Sequence, residues 1–363
     1  MVVFSLALEI EFTKSSEHTA RLVDMKDTGV KVGLSLGISQ REPILHNVEV
    51  VQAAEELGFD SVWIADVQLS MKDCFTALTL CAVNTSTIQL STGVANPITR
   101  HPSIIANSFT ALNEVSNGRA LIGLGTGWTG VYPIGLKPAT IKQLEEAVIT
   151  IRRLCSGEEV EGGEKGPYQM VTGAGPIPIY IAANQPRMLR LCGRVADGVI
   201  LMGGANKEFT SWQIEHVRQG AEDAGRSMDD IKLHLWAAIS VHDDRDQARD
   251  DVSHWVASQA QTFSTWKHLP EFLHPYTKDF QAAAKAYNRL EHMSQHAEHK
   301  DTVSPELIDY LAFVGTADEC LARIKSLEKL GLDGVTLAFR AGGRQQRMET
   351  LSEGIIKPLK ASA

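Results

Sequence analysis

Apolar and polar positions alternate along this chain in blocks rather than residue by residue. Short runs that are apolar almost throughout are each followed by a longer segment with apolar residues at helical spacing. KVGLSLG (31–37) is the first such run. VEVVQAAEELG then places Val48, Val51, Ala54 and Leu57 on one helical face and ends on Gly58. The run recurs at 59–66, 88–96, 119–126, 177–183, 196–203, 231–241 and 332–339. Helical patterns lie between these runs at 74–83, 103–115, 140–154, 186–195, 207–225 and 316–331, and a last one covers 343–358. The runs lack period-two alternation, so each predicts a strand buried on both faces, in a parallel sheet covered by helices. Eight strands with eight helices match the count of a (β/α)8 TIM barrel, an α/β fold. A doubly wound sheet shares the pattern, because periodicity does not show closure.

Length sharpens the barrel reading. Residues 31–358 number 328, and the 75 residues 242–316 read as a helical insertion between the seventh strand and its helix. Subtracting them leaves 328 − 75 = 253, close to the ~250 residues of such barrels. The expected organisation is an N-terminal extension (1–30) and a single barrel (31–358) whose insertion serves as a substrate lid. The insertion holds Trp255, Phe263, Trp266, Phe272, Tyr276, Phe280 and Tyr287. These suit a lid over an apolar or heteroaromatic substrate, or else ordinary helix packing. Segment 157–175, rich in Gly and Glu, reads as a loop or hairpin.

Composition narrows the partners. Hydrophobic residues make up 44% and charged residues 22% of the 363, a balance that excludes disorder. A net charge of −9 argues against a nucleic-acid partner. No apolar run approaches the ~20 residues of a membrane helix, and MVVFSLALEIEF lacks a basic n-region. A cytoplasmic enzyme acting on small molecules is expected. Cys74, Cys81, Cys155, Cys192 and Cys320 are an odd, scattered set that predicts neither disulfides nor a zinc site. Cys74 and Cys81 share a helix face.

Five motifs bear on chemistry. GTGWTG (125–130) matches G-x-G-x-x-G, but it follows the fourth strand, and Val131, Pro133, Gly135 and Pro138 argue against an immediate helix. Its glycines suit a loop passing close to a ligand. GLSLG (33–37) matches G-x-S-x-G, yet Ser35 lies inside the first strand with no helix directly after it, so chance explains the match better than a nucleophile elbow. His292, His296 and His299 share helical spacing within the insertion; a solvated helix face or a lid residue explains them better than a metal set, and no metal is expected. QPRMLRLCG (185–193) opens a helix on Pro186 with Arg187 in its first turn, so the helix dipole and a guanidinium converge where a phosphate could sit. VANPITRHP (94–102) places polar groups on the C-terminal rim, where barrel enzymes build active sites; His101 reads either as part of that site or as a helix-start residue.

Together, the strand-end residues Gly37, Asp66, Asn96, Thr126, Asn184, Gly203 and Arg340 and the segments around them resemble the bacterial-luciferase-like superfamily of flavin- and deazaflavin-dependent oxidoreductases. DSVWIAD, STGVANPITRHPSIIANSFTALNEVSNGRALIGLGTGW, IPIYIAANQPRMLRLCGRVADGVIL and FVGTADECLARIKSLEKLGLDGVTLAF carry the resemblance, which leans to the methylenetetrahydromethanopterin-reductase-like branch. It implies a cofactor at the barrel's C-terminal end. It implies a non-proline cis peptide at Gly93–Val94 forming a bulge behind the ring. Asn96, Thr126 and Gly127 would lie near the ring or its chain. Ala183, Asn184, Gln185, Arg187 and Met188 would hold the phosphate, bordered by Gly203 and Gly204. Homodimers are usual in such relatives.

Two departures set the expected chemistry. Deazaflavin-using relatives commonly carry Asp-His at the end of strand two, where this chain has Asp66-Val67. Position 128 is Trp where that branch often has Asp. A drier site suits reduced flavin and oxygen. The expected function is therefore a flavin-dependent monooxygenase using reduced FMN and O2, supplied by a separate flavin reductase. Asp66, Asn96 and Trp128 are its candidate ring and substrate residues. The alternatives are a deazaflavin (F420)-dependent reductase or dehydrogenase, a flavin-binding barrel without turnover, and a hydrolase using Ser35.

Overall fold

Each of the eight apolar runs is a strand, and the strands close on themselves. The computed structural model describes residues 29–288 and 298–362. Its strands are β1 (Lys31–Leu36), β2 (Ser61–Ile64), β3 (Gln89–Thr92), β4 (Ala120–Leu124), β5 (Val160–Gly163), β6 (Gly166–Tyr168), β7 (Ile179–Ala183), β8 (Gly198–Leu201), β9 (Lys232–Val241), β10 (Phe313–Gly315) and β11 (Gly334–Ala338). β1, β2, β3, β4, β7, β8, β9 and β11 pair in parallel in that order, and β11 returns to β1. That ring is a (β/α)8 barrel, and it excludes the doubly wound sheet. β5 and β6 form the antiparallel hairpin expected within 157–175. Residues 1–28, most of the expected extension, and His292 and His296 lie outside the described residues.

Strand residues alternate between two environments, because successive side chains point to opposite faces. Leu34, Val62, Leu90, Ile122, Ile181, Val199, Leu235 and Leu337 face outward into the apolar layer under the helices. Trp63, Leu121, Tyr180, Ile200 and Trp236 face the barrel axis. The axis side is built in layers. At its base His234 meets Thr336 (Nε2 to Oγ1, 2.7 Å), and Trp63 Nε1 donates to Ser61 Oγ (3.0 Å). Burial pushes the His234 imidazole down to about 3, so it is neutral at physiological pH. Trp63 packs on Tyr180, His234 and Trp236 with ring centroids 5.9, 5.2 and 5.9 Å away. The interior is thus filled, as barrels of this size require.

Local signals start the helices where the pattern predicts. Thr140 and Thr316 form capping boxes with Gln143 and Glu319. Pro102 and Pro186 occupy first-turn positions. The insertion departs from β9 as the helix Arg245–Phe263 and returns through Pro305–Leu311 and β10. β10 adds in parallel to the upper end of β9, a pairing the sequence pattern missed because three residues are too few to show a period. Phe263 and Phe280 are fully buried, and Phe263 packs against Phe209 of the helix Lys207–Asp223 at 5.7 Å. Much of the insertion's aromatic content therefore goes into helix packing. No helix among the described residues is long and apolar enough to cross a membrane.

Candidate active site

Above the indoles of Trp63 and Trp236, the axis-facing residues become small on seven strands, with Met202 on the eighth. Ser35, Ala65, Gly93, Gly125, Ala182, Ala238 and Ala338 follow from the alternation on seven strands. The result is a cup at the C-terminal mouth with an indole floor. Gly93 sits directly on that floor: a Cβ there would lie 2.7 Å from Trp236 Cη2 and 3.1 Å from Trp63. The Gly93–Val94 peptide is cis, at the place the resemblance implied.

Asn96 lies beside the cup under the loop that follows β4. Its Oδ1 accepts from the backbone N–H groups of Ile98 (3.1 Å) and Thr99 (2.9 Å). Its Nδ2 is buried and has no partner among the described residues. Gly127, with φ of 90°, presses on Asn96 so closely that a Cβ would fall 2.7 Å from Asn96 Cγ. The loop then makes a one-turn helix, Trp128–Val131, which the prolines and glycines seemed to forbid. Pro133 falls in the 3-10 turn that follows, where a missing N–H is tolerated. Trp128 is exposed and packs edge-on against Tyr132 at 4.9 Å.

Asp66 is not free to meet a ligand. Both its oxygens accept from Arg100, Nε at 2.9 Å and Nη2 at 3.1 Å. Arg100 also pairs with Asp73 and stacks over the Phe75 ring at 4.3 Å. Burial pushes the Asp73 carboxyl up, but Arg100 and the Thr76 N–H outweigh it and hold it below the usual carboxylate range. Asp66, a candidate ring or substrate residue, is thus held in a bidentate ion pair at the rim. His101 caps the helix Pro102–Val115 by accepting from Ser103 N–H, the second of its two readings.

At the end of β7, Gln185 precedes the helix Pro186–Val195, and Arg187 is exposed with no partner among the described residues. Asn184 and Met188 are half-buried beside it. Gly203 and Gly204, after β8, sit against neighbouring helices. Both are buried; Gly203 packs on the Gln213 amide, and a Cβ on Gly204 (φ 87°) would lie 2.7 Å from the Leu311 carbonyl. Close helix packing requires these glycines.

The side of the mouth formed by β9 and β11 carries a charged cluster with no sequence signature. Asp251 is 2% exposed and accepts from Ser240 Oγ (2.9 Å), Arg347 Nη1 (2.7 Å) and Arg340 Nη1 (3.2 Å). Burial raises the Asp251 carboxyl, and these donors bring it below the ordinary value. One turn on, burial and then Arg340 push His254 down to about 4. A groove of about 500 Å³ lies outside the mouth, lined by Glu42, His46, Arg344 and Glu349 among others. No group of metal ligands occurs among the described residues.

The eight-stranded parallel barrel thus carries, at its C-terminal mouth, small axis-facing residues and an exposed arginine at the start of the helix after β7. The chain belongs to the luciferase-like monooxygenase family, whose pattern matches residues 27–334, and it is a luciferase-like oxidoreductase. It is 31% identical over 312 residues to a 5,10-methylenetetrahydromethanopterin reductase of Methanolobus tindarius, covering 84% of this chain and 94% of the relative. It is 35% identical over 228 residues to an F420-dependent glucose-6-phosphate dehydrogenase of Nakamurella multipartita, covering 58% and 67%. The solved coenzyme F420 dependent tetrahydromethanopterin reductase of Methanopyrus kandleri shares the fold, with a TM-score of 0.75 over 91% of this chain and 99% of that one at 24% identity.

Proposed function

We propose that this barrel is a deazaflavin (F420)-dependent reductase or dehydrogenase of a small organic substrate. The observation that carries the reading is the similarity to relatives whose names specify F420 or methylenetetrahydromethanopterin, over most of this chain. The site is consistent with it. Arg187 and the dipole of the helix Pro186–Val195 would hold the phosphate. The small-residue cup leaves room for a flat ring, and Trp63 and Trp236 exclude water from below it. The unpaired Asn96 Nδ2 offers a donor beside the ring. F420, when bound, supplies hydride transfer.

Proton handling narrows the substrate class. Asp66 is occupied by Arg100, and Val67 and Trp128 carry no titratable group. Oxidation of an alcohol needs a base near the reacting carbon. Reduction of an iminium needs only the hydride, because the acceptor already bears the positive charge. The residues at the ends of β2 and β4 favour the second.

Anaerobic titration with reduced F420 and with FMNH2, followed by oxygen, tests the assignment. Saturable binding of F420 with no oxygen uptake is the expected result. Preferential FMNH2 binding with oxygen consumption would return the monooxygenase reading, and binding of neither would overturn both. Arg187→Ala should weaken F420 by about 10- to 100-fold, the worth of a charge-assisted phosphate contact. The phosphate-free deazariboflavin should be unaffected, and equal losses for both ligands would refute the phosphate assignment.

A further inference from the structure

The geometry points to Ser35 as a ring-contacting, specificity-determining residue in the mouth of the barrel, an inference that rests on the cofactor reading above. Ser35 lies on β1 opposite Trp63 of β2. Two residues earlier, Gly33 faces the axis, since a Cβ there would meet Ser61, Thr336 and Trp63 side chains. Two residues later, Gly37 points the same way, toward Met71 and Ala65. Ser35 therefore projects toward the axis, in register with Trp63 and below the mouth that Gly37 borders. Around it Trp63, Ala65, Gly93 and Ala338 leave no free side-chain oxygen, so its hydroxyl is the polar group on this side of the cup. Ser35 is half-buried, and its hydroxyl makes no hydrogen bond to any described residue. The buried strand around it is otherwise fully paired, and Leu34 and Leu36 are packed outward.

A serine in mid-strand cannot act as an elbow nucleophile, because β1 continues straight through it to Leu36. It can present a hydroxyl to whatever lies in the cup. A three-ring plate is about as wide as the interior of an eight-stranded barrel. Held over Trp63 and Trp236, such a ring would come within reach of the Ser35 hydroxyl. Hydroxyl donation or acceptance there would orient the ring's polar edge and distinguish one ring chemistry from another.

A cysteine at this position makes contact measurable. The five native cysteines are all fully buried. Burial pushes Cys81 and Cys320 up to about 12 and Cys155 to about 11, which silences them further. Ser35→Cys should therefore take up one N-ethylmaleimide per chain by mass spectrometry, while the wild type takes up none. Saturating F420, followed by its own fluorescence, should slow that labelling at least tenfold. Ser35→Ala, checked for folding by circular dichroism, should weaken F420 several-fold and shift the bound absorption band; Ser35→Thr, which keeps the hydroxyl, should retain the band. A folded Ser35→Cys that resists labelling, or one labelled equally fast with F420 bound, would overturn the contact. If the wild type binds neither F420 nor FMN, the cofactor reading fails and takes this inference with it. If it binds but Cys at 35 stays unprotected, only the inference fails.

Discussion

A single carboxylate does much to set the geometry of the mouth. Asp251 sits on the insertion's first helix and gathers donors from β9 and from the segment after β11. Removing it leaves Arg340 and Arg347 without their counter-charge in a half-buried setting. Asp251→Ala should cost about 3–5 kcal/mol, read from the urea midpoint at constant m-value. The folded-state pKa of Asp251 is depressed, so its contribution is present above the ordinary carboxylate range and is lost as pH falls through the folded value. The same scale shows why some site residues were readable and others were not. Arg187 announces itself, because Pro186 and the preceding strand place it in a first helical turn. The ion pair of Asp66 is not readable, because its partner, Arg100, is 34 positions away.

Among the elements, the strands and long helices follow from periodicity and caps, which are local. The misses are short. β10 spans three residues, and the turn Trp128–Val131 spans four. Neither is long enough to show a period, and each forms because a neighbour supplies its context: β9 for the first, Asn96 and Gln68 for the second. Gln68 Nε2 donates to the Gly130 carbonyl at 2.7 Å, which pins that turn to the loop after β2. Two glycines separate backbone strain from packing. Gly225 (φ 66°) has open space around it, so Gly225→Ala should cost about 1 kcal/mol of left-handed strain. Gly204 has a similar backbone but faces the Leu311 carbonyl, so Gly204→Ala should cost about 1–3 kcal/mol more. Equal shifts in melting temperature for the two would show that the contact between the β8 loop and the helix Pro305–Leu311 is not tight.

For the whole molecule, burial sets the response to acid. His234 and His254 are held neutral, down to about 3 and about 4, whereas an unfolded histidine titrates near 6.5. The unfolded chain therefore binds more protons than the folded one between pH 6.5 and those values, and stability falls as pH drops through that window. Loss of the Asp251 contribution deepens the fall at its lower end. Denaturant midpoints measured from pH 7.5 to 4.5 should decline, and His234→Gln should flatten the decline if it folds.

The sequence by itself determined the order and number of the eight barrel strands and the long helices between them, the barrel-sized core and the insertion, and the helix start at Pro186. Each of these is written in adjacent residues through periodicity, caps and length. Only the tertiary structure decided what faces the mouth. The cup exists because eight strands close and stack large residues below small ones, and no single strand shows that layering. The same closure turns Ser35 inward, binds Asp66 to Arg100, gathers Asp251 with Arg347 across 96 positions and presses Gly204 onto Leu311. Side-chain chemistry of this kind depends on distances that chain proximity does not set.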